Sequence, residues 1–280
     1  MDCTNKYIKY INNNFKSLHN KKILLTGGTG SIGESVVTYL SMLNNELILL
    51  VRNIDLATKL KDKLTNLYHN KITLIYFDYL DRESINKALD IIKSLQNLDI
   101  FINISGIYHQ HYELIKGIEK TYFVNFICPV YFINKLFNYF DNLKIVIVSS
   151  ITATTKLIDI NTLFSDKYNF LNTLNNIKNK TKRYAISKHL LMSYFLYLKI
   201  YLKKNIIFTH PGVSTTNLFS KKNNAYNKLF YLIVPKLMKL IFMNSAKASL
   251  SIMYGSNLDS LDYSYWIGPK GLFHIYGYPN

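Results

Sequence analysis

A doubly wound parallel α/β sheet with helices on both faces, built as a single domain, is the architecture this sequence predicts, on three observations. Six apolar runs recur along the 280 residues: KILLT from Lys22, ELILLV from Glu46, ITLIYF from Ile72, DIFINIS from Asp99, KIVIVSS from Lys144 and NIIFTH from Asn205. Within each run the apolar residues are continuous rather than alternating, as expected of strands covered on both faces. The segments between them are long enough for the helical crossovers that parallel neighbours require. A short final strand is expected around residues 265–267, ahead of the Gly268–Pro269 turn, for a sheet of about seven strands.

Composition supports one well-packed unit. Hydrophobic residues make up 49% of the chain and charged residues 18%, so there is ample material for a core and no general tendency to disorder. The net charge of +17 would attract polyanions. Lysine is nevertheless spread along the whole chain, and neither an RNA-recognition nor a helix-turn-helix pattern stands out, so nucleic acid is not an expected partner. Cys3 and Cys128 are the only cysteines, which excludes a disulfide framework and a cysteine zinc site, and no metal is expected. Residues 1–20 lack the apolar core of a signal peptide and any Arg; they are read as a leader with one short helix, in a cytoplasmic protein. The domain is expected over 21–280, with a long Asn-, Thr- and Lys-rich insertion at about 152–182 carrying a small helix or flap, and a substrate lid at about 213–243. Within that lid, 229–242 is too short and too interrupted by Pro235, Lys236 and Lys239 to span a bilayer, though it could touch a lipid surface.

TGGTGSIG, from Thr26 to Gly33, stands where the first strand ends and a helix begins. That is the setting in which a glycine-rich turn signals a dinucleotide site. Gly27 suits the tight turn, Gly30 lets backbone approach a pyrophosphate and Gly33 lets helix and strand pack closely. The first helical residues, Ser31 and Ile32, bring unpaired N–H groups to the anion. A glycine turn without ligand is the plainer alternative. The second strand ends at Val51, Arg52 and Asn53, with no acid before Asp55. A carboxylate there would select NAD, whereas a nearby Arg suits the 2′-phosphate of NADP, so NADPH is expected over NAD unless Arg52 is an ordinary solvated residue. Asp78, Asn103, Ser105 and Gly106 end the third and fourth strands, on the ligand side of such a sheet.

YAISK, 184–188, opens a helical run and places Tyr184 and Lys188 four residues apart on one face. An ammonium so placed can lower the phenol pKa and make the tyrosine a usable acid or base near neutrality. A surface Tyr–Lys pair is the alternative in a chain with 23 tyrosines.

Taken in order, TGGTGSIG, Asp78, NISG from Asn103, Asn125 in KTYFVNF, Ser150, YAISK and Pro211–Gly212 resemble the landmarks of the short-chain dehydrogenase/reductase family over nearly the whole chain. KGIEKTYFVN from Lys116, HPGVSTTNL from His210 and the tail YWIGPKGLFHIYGYP are most similar to its retinol-dehydrogenase-like branch. The resemblance implies a Rossmann-type fold and carbonyl–alcohol interconversion on a small molecule, and the aromatic and aliphatic residues around the expected site, including 226–242, suggest a lipophilic one. It implies that Tyr184 protonates the carbonyl oxygen, Lys188 binds the nicotinamide ribose, Ser150 holds the substrate oxygen and Asn125 supports a water-linked proton relay. Pro211, Gly212 and Thr215 or Thr216 would border the carboxamide end of the cofactor. Ser31 and NISG depart mildly from the family pattern, and the long insertion leaves Ser149 as a rival to Ser150. An extended-type nucleotide-sugar epimerase or dehydratase, and a non-catalytic NADP-binding sensor or scaffold, are the alternatives. The aromatic stretch 226–242 is open to three readings: lid, core, or contact with a second copy in a homodimer.

Overall fold

The computed structural model describes residues 7–108, 111–154, 170–214, 243–259, 266–271 and 274–279. Along the chain run α1 (Ile8–Asn14), β1 (Lys22–Thr26), α2 (Ser31–Met42), β2 (Glu46–Val51), α3 (Ile54–Tyr68), β3 (Ile72–Tyr76), α4 (Arg82–Lys93) and β4 (Ile100–Asn103). A small hairpin follows, β5 (Leu114–Ile115) and β6 (Ile118–Glu119), then α5 (Lys120–Tyr122), a π-helical turn (Phe123–Ile127) and α6 (Cys128–Tyr139). The second half contains β7 (Lys144–Val148), α7 (Phe170–Asn175), α8 (Lys180–Tyr201), β8 (Ile206–Thr209), α9 (Ser245–Ala248), α10 (Leu250–Asn257) and β9 (Trp266–Ile267).

Seven strands form one sheet in the order β3-β2-β1-β4-β7-β8-β9, every neighbouring pair parallel. All six apolar runs and the short final strand are therefore members of the expected sheet. Alternate residues of each strand enter separate cores. Ile23, Leu25, Leu47, Leu49, Val146 and Val148 face one, against α2, α3 and α10; Leu24, Ile48, Leu50, Ile145 and Ile147 face the other, against α4, α6 and α8. Because both faces are covered, a polar residue inside any strand would be stranded in one core, which is why the runs read as continuously apolar.

Residues 7–18, read above as part of a leader, contribute to the first core. Ile11, Phe15 and Leu18 are fully buried there, and the Tyr10 ring lies 4.7 Å from that of Tyr278 near the other end of the chain. Asn257 closes the joint, accepting from the Ser17 N–H at 3.0 Å and donating to the Asn14 carbonyl at 3.3 Å. Within the 152–182 insertion, α7 is the small helix anticipated, while 155–169 lie outside the described residues, as do 215–242 of the expected lid.

At the far end of the sheet, His210 follows β8 and is almost wholly buried, its ring 4.2 Å from that of Trp266 in β9. Burial, reinforced by His274, pushes its pKa down to about 4. Its Nδ1 accepts from the Gly212 N–H at 3.3 Å, a role only the neutral ring can fill. On acidification the unfolded chain takes up this proton first, near the ordinary value of 6.5, while the folded chain resists until about pH 4. Stability therefore falls through that window, by at most about 3 kcal/mol from this group. Urea midpoints measured at intervals from pH 7.5 to pH 4.5 should drop for the native chain, and the drop should be smaller in His210→Asn.

Candidate active site

The ligand side of the sheet is assembled around β1 and β4, whose residues Thr26 and Asn103 are register partners. The Thr26 hydroxyl donates to Asn103 Oδ1 at 3.0 Å and accepts from the Ser105 N–H at 3.2 Å, and the Tyr79 hydroxyl donates to the same Asn103 oxygen at 3.2 Å. The glycine loop is thereby pinned to the NISG loop. Gly27 has φ +75°, and a Cβ there would stand 2.9 Å from the Ser105 nitrogen. A Cβ on Gly33 would come within 2.0 Å of the Gly27 carbonyl oxygen, so the first turn of α2 can close on the loop only without a side chain at this position. Gly30 differs: its Cβ would make only ordinary contact at 3.4 Å. It caps α2 with no side chain of its own, followed by Ser31 and by Ile32, which packs against the first core.

Arg52 and Asp78 follow the ends of β2 and β3, the strands next in order after β1 on this side of the sheet. Arg52 is exposed, and Asn53 beside it caps α3 by accepting from the Leu56 N–H at 2.9 Å. Asp78 accepts from the Leu80 N–H at 2.9 Å, so its carboxylate organises the strand-end turn. Pro211 and Gly212 follow β8 and are tied to His210 and the chain terminus, with the Val213 N–H donating to the Ile275 carbonyl at 3.0 Å. Thr215 and Thr216 lie outside the described residues.

Lys188 projects from α8 to the foot of the NISG loop. A Cβ on Gly106 would lie 3.1 Å from Lys188 Nζ and 3.3 Å from Asn125 Oδ1, so the missing side chain makes room for both. The ammonium donates to the Val148 carbonyl at 3.0 Å, and burial lowers its pKa to about 8. Asn125, on the π-helical turn, accepts from the Ile107 N–H at 2.8 Å and donates to the Ile107 carbonyl at 2.9 Å and to Ser187 Oγ at 3.0 Å. Its amide thus clamps the loop after β4.

Ser150 lies close enough to Tyr184 for its hydroxyl to act on the phenol. Ser150 Oγ also accepts from the Thr152 hydroxyl at 3.0 Å, whereas Ser149 Oγ is buried without a partner. Between the two serines, Ser150 is the one that reaches Tyr184. The expected depression of the tyrosine pKa by Lys188 is not what the structure shows. Burial raises the Tyr184 phenol, the Ser150 hydroxyl opposes that rise and nearby Tyr108 adds to it. Desolvation is the largest of these influences.

Sequence reasoning passed over several neighbours. The Tyr108 ring stands edge-on to Tyr184 with centroids 5.4 Å apart, and its hydroxyl shares a 2.9 Å hydrogen bond with that of Thr181. His189 Nδ1 lies 2.7 Å from the Ala153 carbonyl oxygen, tying α8 to the loop that carries Ser150. Ser187, three residues after Tyr184, was the one with a readable signal, since that spacing put it on the same helix face.

Together these groups fit a dinucleotide. There is a cradle that side chains at 27 and 33 would fill, a helix N-terminus aimed at it and a buried lysine beyond. A family model described as short chain dehydrogenase matches residues 21–165. The chain belongs to the short-chain dehydrogenase family. As a short-chain dehydrogenase it is an oxidoreductase acting on CH–OH groups of small molecules with a nicotinamide cofactor. An uncharacterized oxidoreductase of Schizosaccharomyces pombe is 25% identical over 95% of this chain and 83% of its own length. Eugenol synthase 1 of Petunia hybrida is 31% identical over 86 residues, which span 30% of this chain and 26% of that enzyme. Among solved structures, a short-chain dehydrogenase from Sphingobium yanoikuyae in complex with NADPH shares the fold, with a TM-score of 0.65 at 14% identity over 86% of each chain. No helix among the described residues is long and apolar enough to cross a membrane.

The glycines make separable demands. In Gly33→Ala the new Cβ meets backbone, and such overpacking costs about 1–3 kcal/mol, so both the urea midpoint and dinucleotide affinity should fall. Gly30→Ala should leave the midpoint nearly unchanged and weaken dinucleotide binding alone, as read by fluorescence titration.

Proposed function

We propose that this short-chain dehydrogenase is an NADPH-dependent reductase of a lipophilic carbonyl compound, of the retinol-dehydrogenase-like kind, with Tyr184 as its proton donor. The nearness of Ser150 to Tyr184, with Lys188 one turn further along the same helix, carries the reading, because it gathers a phenol and a hydroxyl where one substrate oxygen could meet both. When bound, the cofactor supplies the hydride that adds to the carbonyl carbon. Ser150 holds the carbonyl oxygen, and Tyr184 gives up its O–H proton to that oxygen as it becomes an alkoxide. The raised phenol pKa supports this direction, since the group stands protonated at neutral pH. Donors fixed in advance stabilise developing charge without reorganisation. Lys188, still largely protonated near pH 7 with its pKa about 8, holds the nicotinamide ribose and offsets the phenolate left behind. Asn125 keeps the loop after β4 in place beside it and backs the proton relay. Thr26, Asp78, Asn103 and Gly106 line the cofactor crevice, and Pro211 and Gly212 border its carboxamide end, to which Thr215, outside the described residues, is assigned from the sequence alone.

The lipophilic substrate is supported by the Tyr108 ring against Tyr184 and by the aromatic and aliphatic composition of 226–242. NADPH preference is supported by Arg52, exposed at the end of β2 with no acid beside it until Asp55. A homodimer and a cytoplasmic location are part of the same proposal, resting on the sequence alone.

Tyr184→Phe should abolish consumption of NADPH against a panel of aldehydes, ketones, retinals and keto-steroids while leaving NADPH affinity near normal, because the hydroxyl acts on substrate alone. Substantial remaining turnover would remove Tyr184 from the role.

Arg52→Ala should weaken NADPH by about 10- to 100-fold, the worth of a hydrogen bond to a charged group, and leave NADH almost unchanged. Titrating both cofactors into both proteins decides it. Equal losses would mean that Arg52 supports the fold, and a native preference for NADH would overturn the assignment.

A further inference from the structure

The residue immediately before Tyr184 is the largest fully buried side chain of the described residues: Arg183, with no exposure at all. A guanidinium cannot shed its proton in a protein, so it must be compensated where it stands. Its Nε lies 3.1 Å from Oε1 of Glu119, itself fully buried, and its Nη1 donates to the Lys178 carbonyl. Glu119 in turn caps α5, accepting from the Thr121 N–H at 2.8 Å and from the Thr121 hydroxyl at 3.2 Å. The Glu119 N–H donates to Asn175 Oδ1 at 2.9 Å, and Asn175 Nδ2 donates to the Gly117 carbonyl at 2.7 Å. One ion pair therefore ties together the β5–β6 hairpin, the connection between α7 and α8, and the first turn of α8.

What these elements carry matters more than their number. Glu119 begins the helical stretch that reaches Asn125 six residues later, and Arg183 precedes Tyr184 on α8. Asn125 already touches the Tyr184 turn through Ser187, whose hydroxyl donates to the Tyr184 carbonyl at 2.7 Å. A purely structural need at this place would be met by an apolar pair at lower desolvation cost. A buried charged pair instead favours one arrangement of the two elements over others, even though Arg183 Nε and Nη2 make no hydrogen bond among the described residues. We propose that the Glu119–Arg183 ion pair is a positioning device that sets the start of α8 against the helical turn bearing Asn125, and so fixes the approach of the Tyr184 hydroxyl to the substrate oxygen. Both members are positioning residues; neither touches the reacting atoms.

The inference rests on Tyr184 as proton donor, so Tyr184→Phe is run beside every variant, with 4-nitrobenzaldehyde and the panel carbonyl that the native enzyme turns over fastest as substrates. Glu119→Gln leaves a buried cation uncompensated and should lower Tm. The deciding variant is the double one, Glu119→Gln with Arg183→Met, in which no charge is stranded and Tm should recover. Positioning predicts that this double variant binds NADPH within about twofold of native and keeps KM within about threefold, yet loses about tenfold or more in kcat, as expected of a slightly misplaced reacting group. Native kcat in a folded double variant would overturn the proposal and leave the pair a fold element. Should the double variant not fold, Arg183→Lys, which keeps the charge but not the planar fork, serves the same comparison: reduced kcat at unchanged KM supports positioning, and native kcat refutes it. If Tyr184→Phe is itself active, the catalytic reading fails and the positioning inference with it, an outcome distinct from either of these.

Discussion

The register of β1 against β4 is the constraint on which the site depends. Thr26 and Asn103 are partners across that pair, and their side chains meet in a buried hydrogen bond that also captures the Ser105 N–H. A shift by one residue would turn both side chains to the opposite faces of the sheet and separate the glycine loop from the NISG loop. With the register fixed, Gly27 must lie against Ser105, Gly106 must lie beside Lys188, and the crevice opens between them. The strand order also reverses here, β2 and β3 lying to one side of β1 and β7 to β9 beyond β4. Doubly wound sheets bind their ligands at such a switch point.

Two buried cations on α8 illustrate how differently lysine and arginine are accommodated. Lys188 meets burial by losing proton affinity, its pKa falling to about 8 with one backbone carbonyl as partner. Arg183 has no such recourse, and the fold supplies a fully buried carboxylate in Glu119. The compact ammonium is accommodated by one carbonyl, while the guanidinium is anchored through Nε beside Glu119 and Nη1 on the Lys178 carbonyl. The same helix thus carries an adaptable cation five residues after an immovable one.

Much of this was legible in the sequence, for reasons that differ by element. The strands could be read because two-sided burial leaves no polar position inside a run such as ELILLV. The glycine loop could be read because Gly33 is forbidden a Cβ by the Gly27 carbonyl, a constraint that leaves its mark on residue identity. Ile11, Phe15 and Leu18 lie at i, i+4 and i+7, an amphipathic spacing that already pointed to core packing, although the stretch was read as a leader. The Glu119–Arg183 pair left no comparable signal, since its members are remote in sequence and either would pass for a solvated charge. Tyr108 was equally silent: nothing in its spacing announces an edge-on contact with Tyr184.

The direction of the Tyr184 pKa was misread for a physical reason that bears on the proposed chemistry. Four-residue spacing on a helix brings Lys188 onto the same face, but Tyr184 is buried and desolvation is the largest influence on its phenol. The phenol therefore stays neutral. For a proton donor that is the useful state, because an already ionised tyrosine has nothing to give. The reverse reaction needs the phenolate, and on the proposed mechanism Ser150, whose nearness opposes the rise, is the group that favours its ionisation against burial.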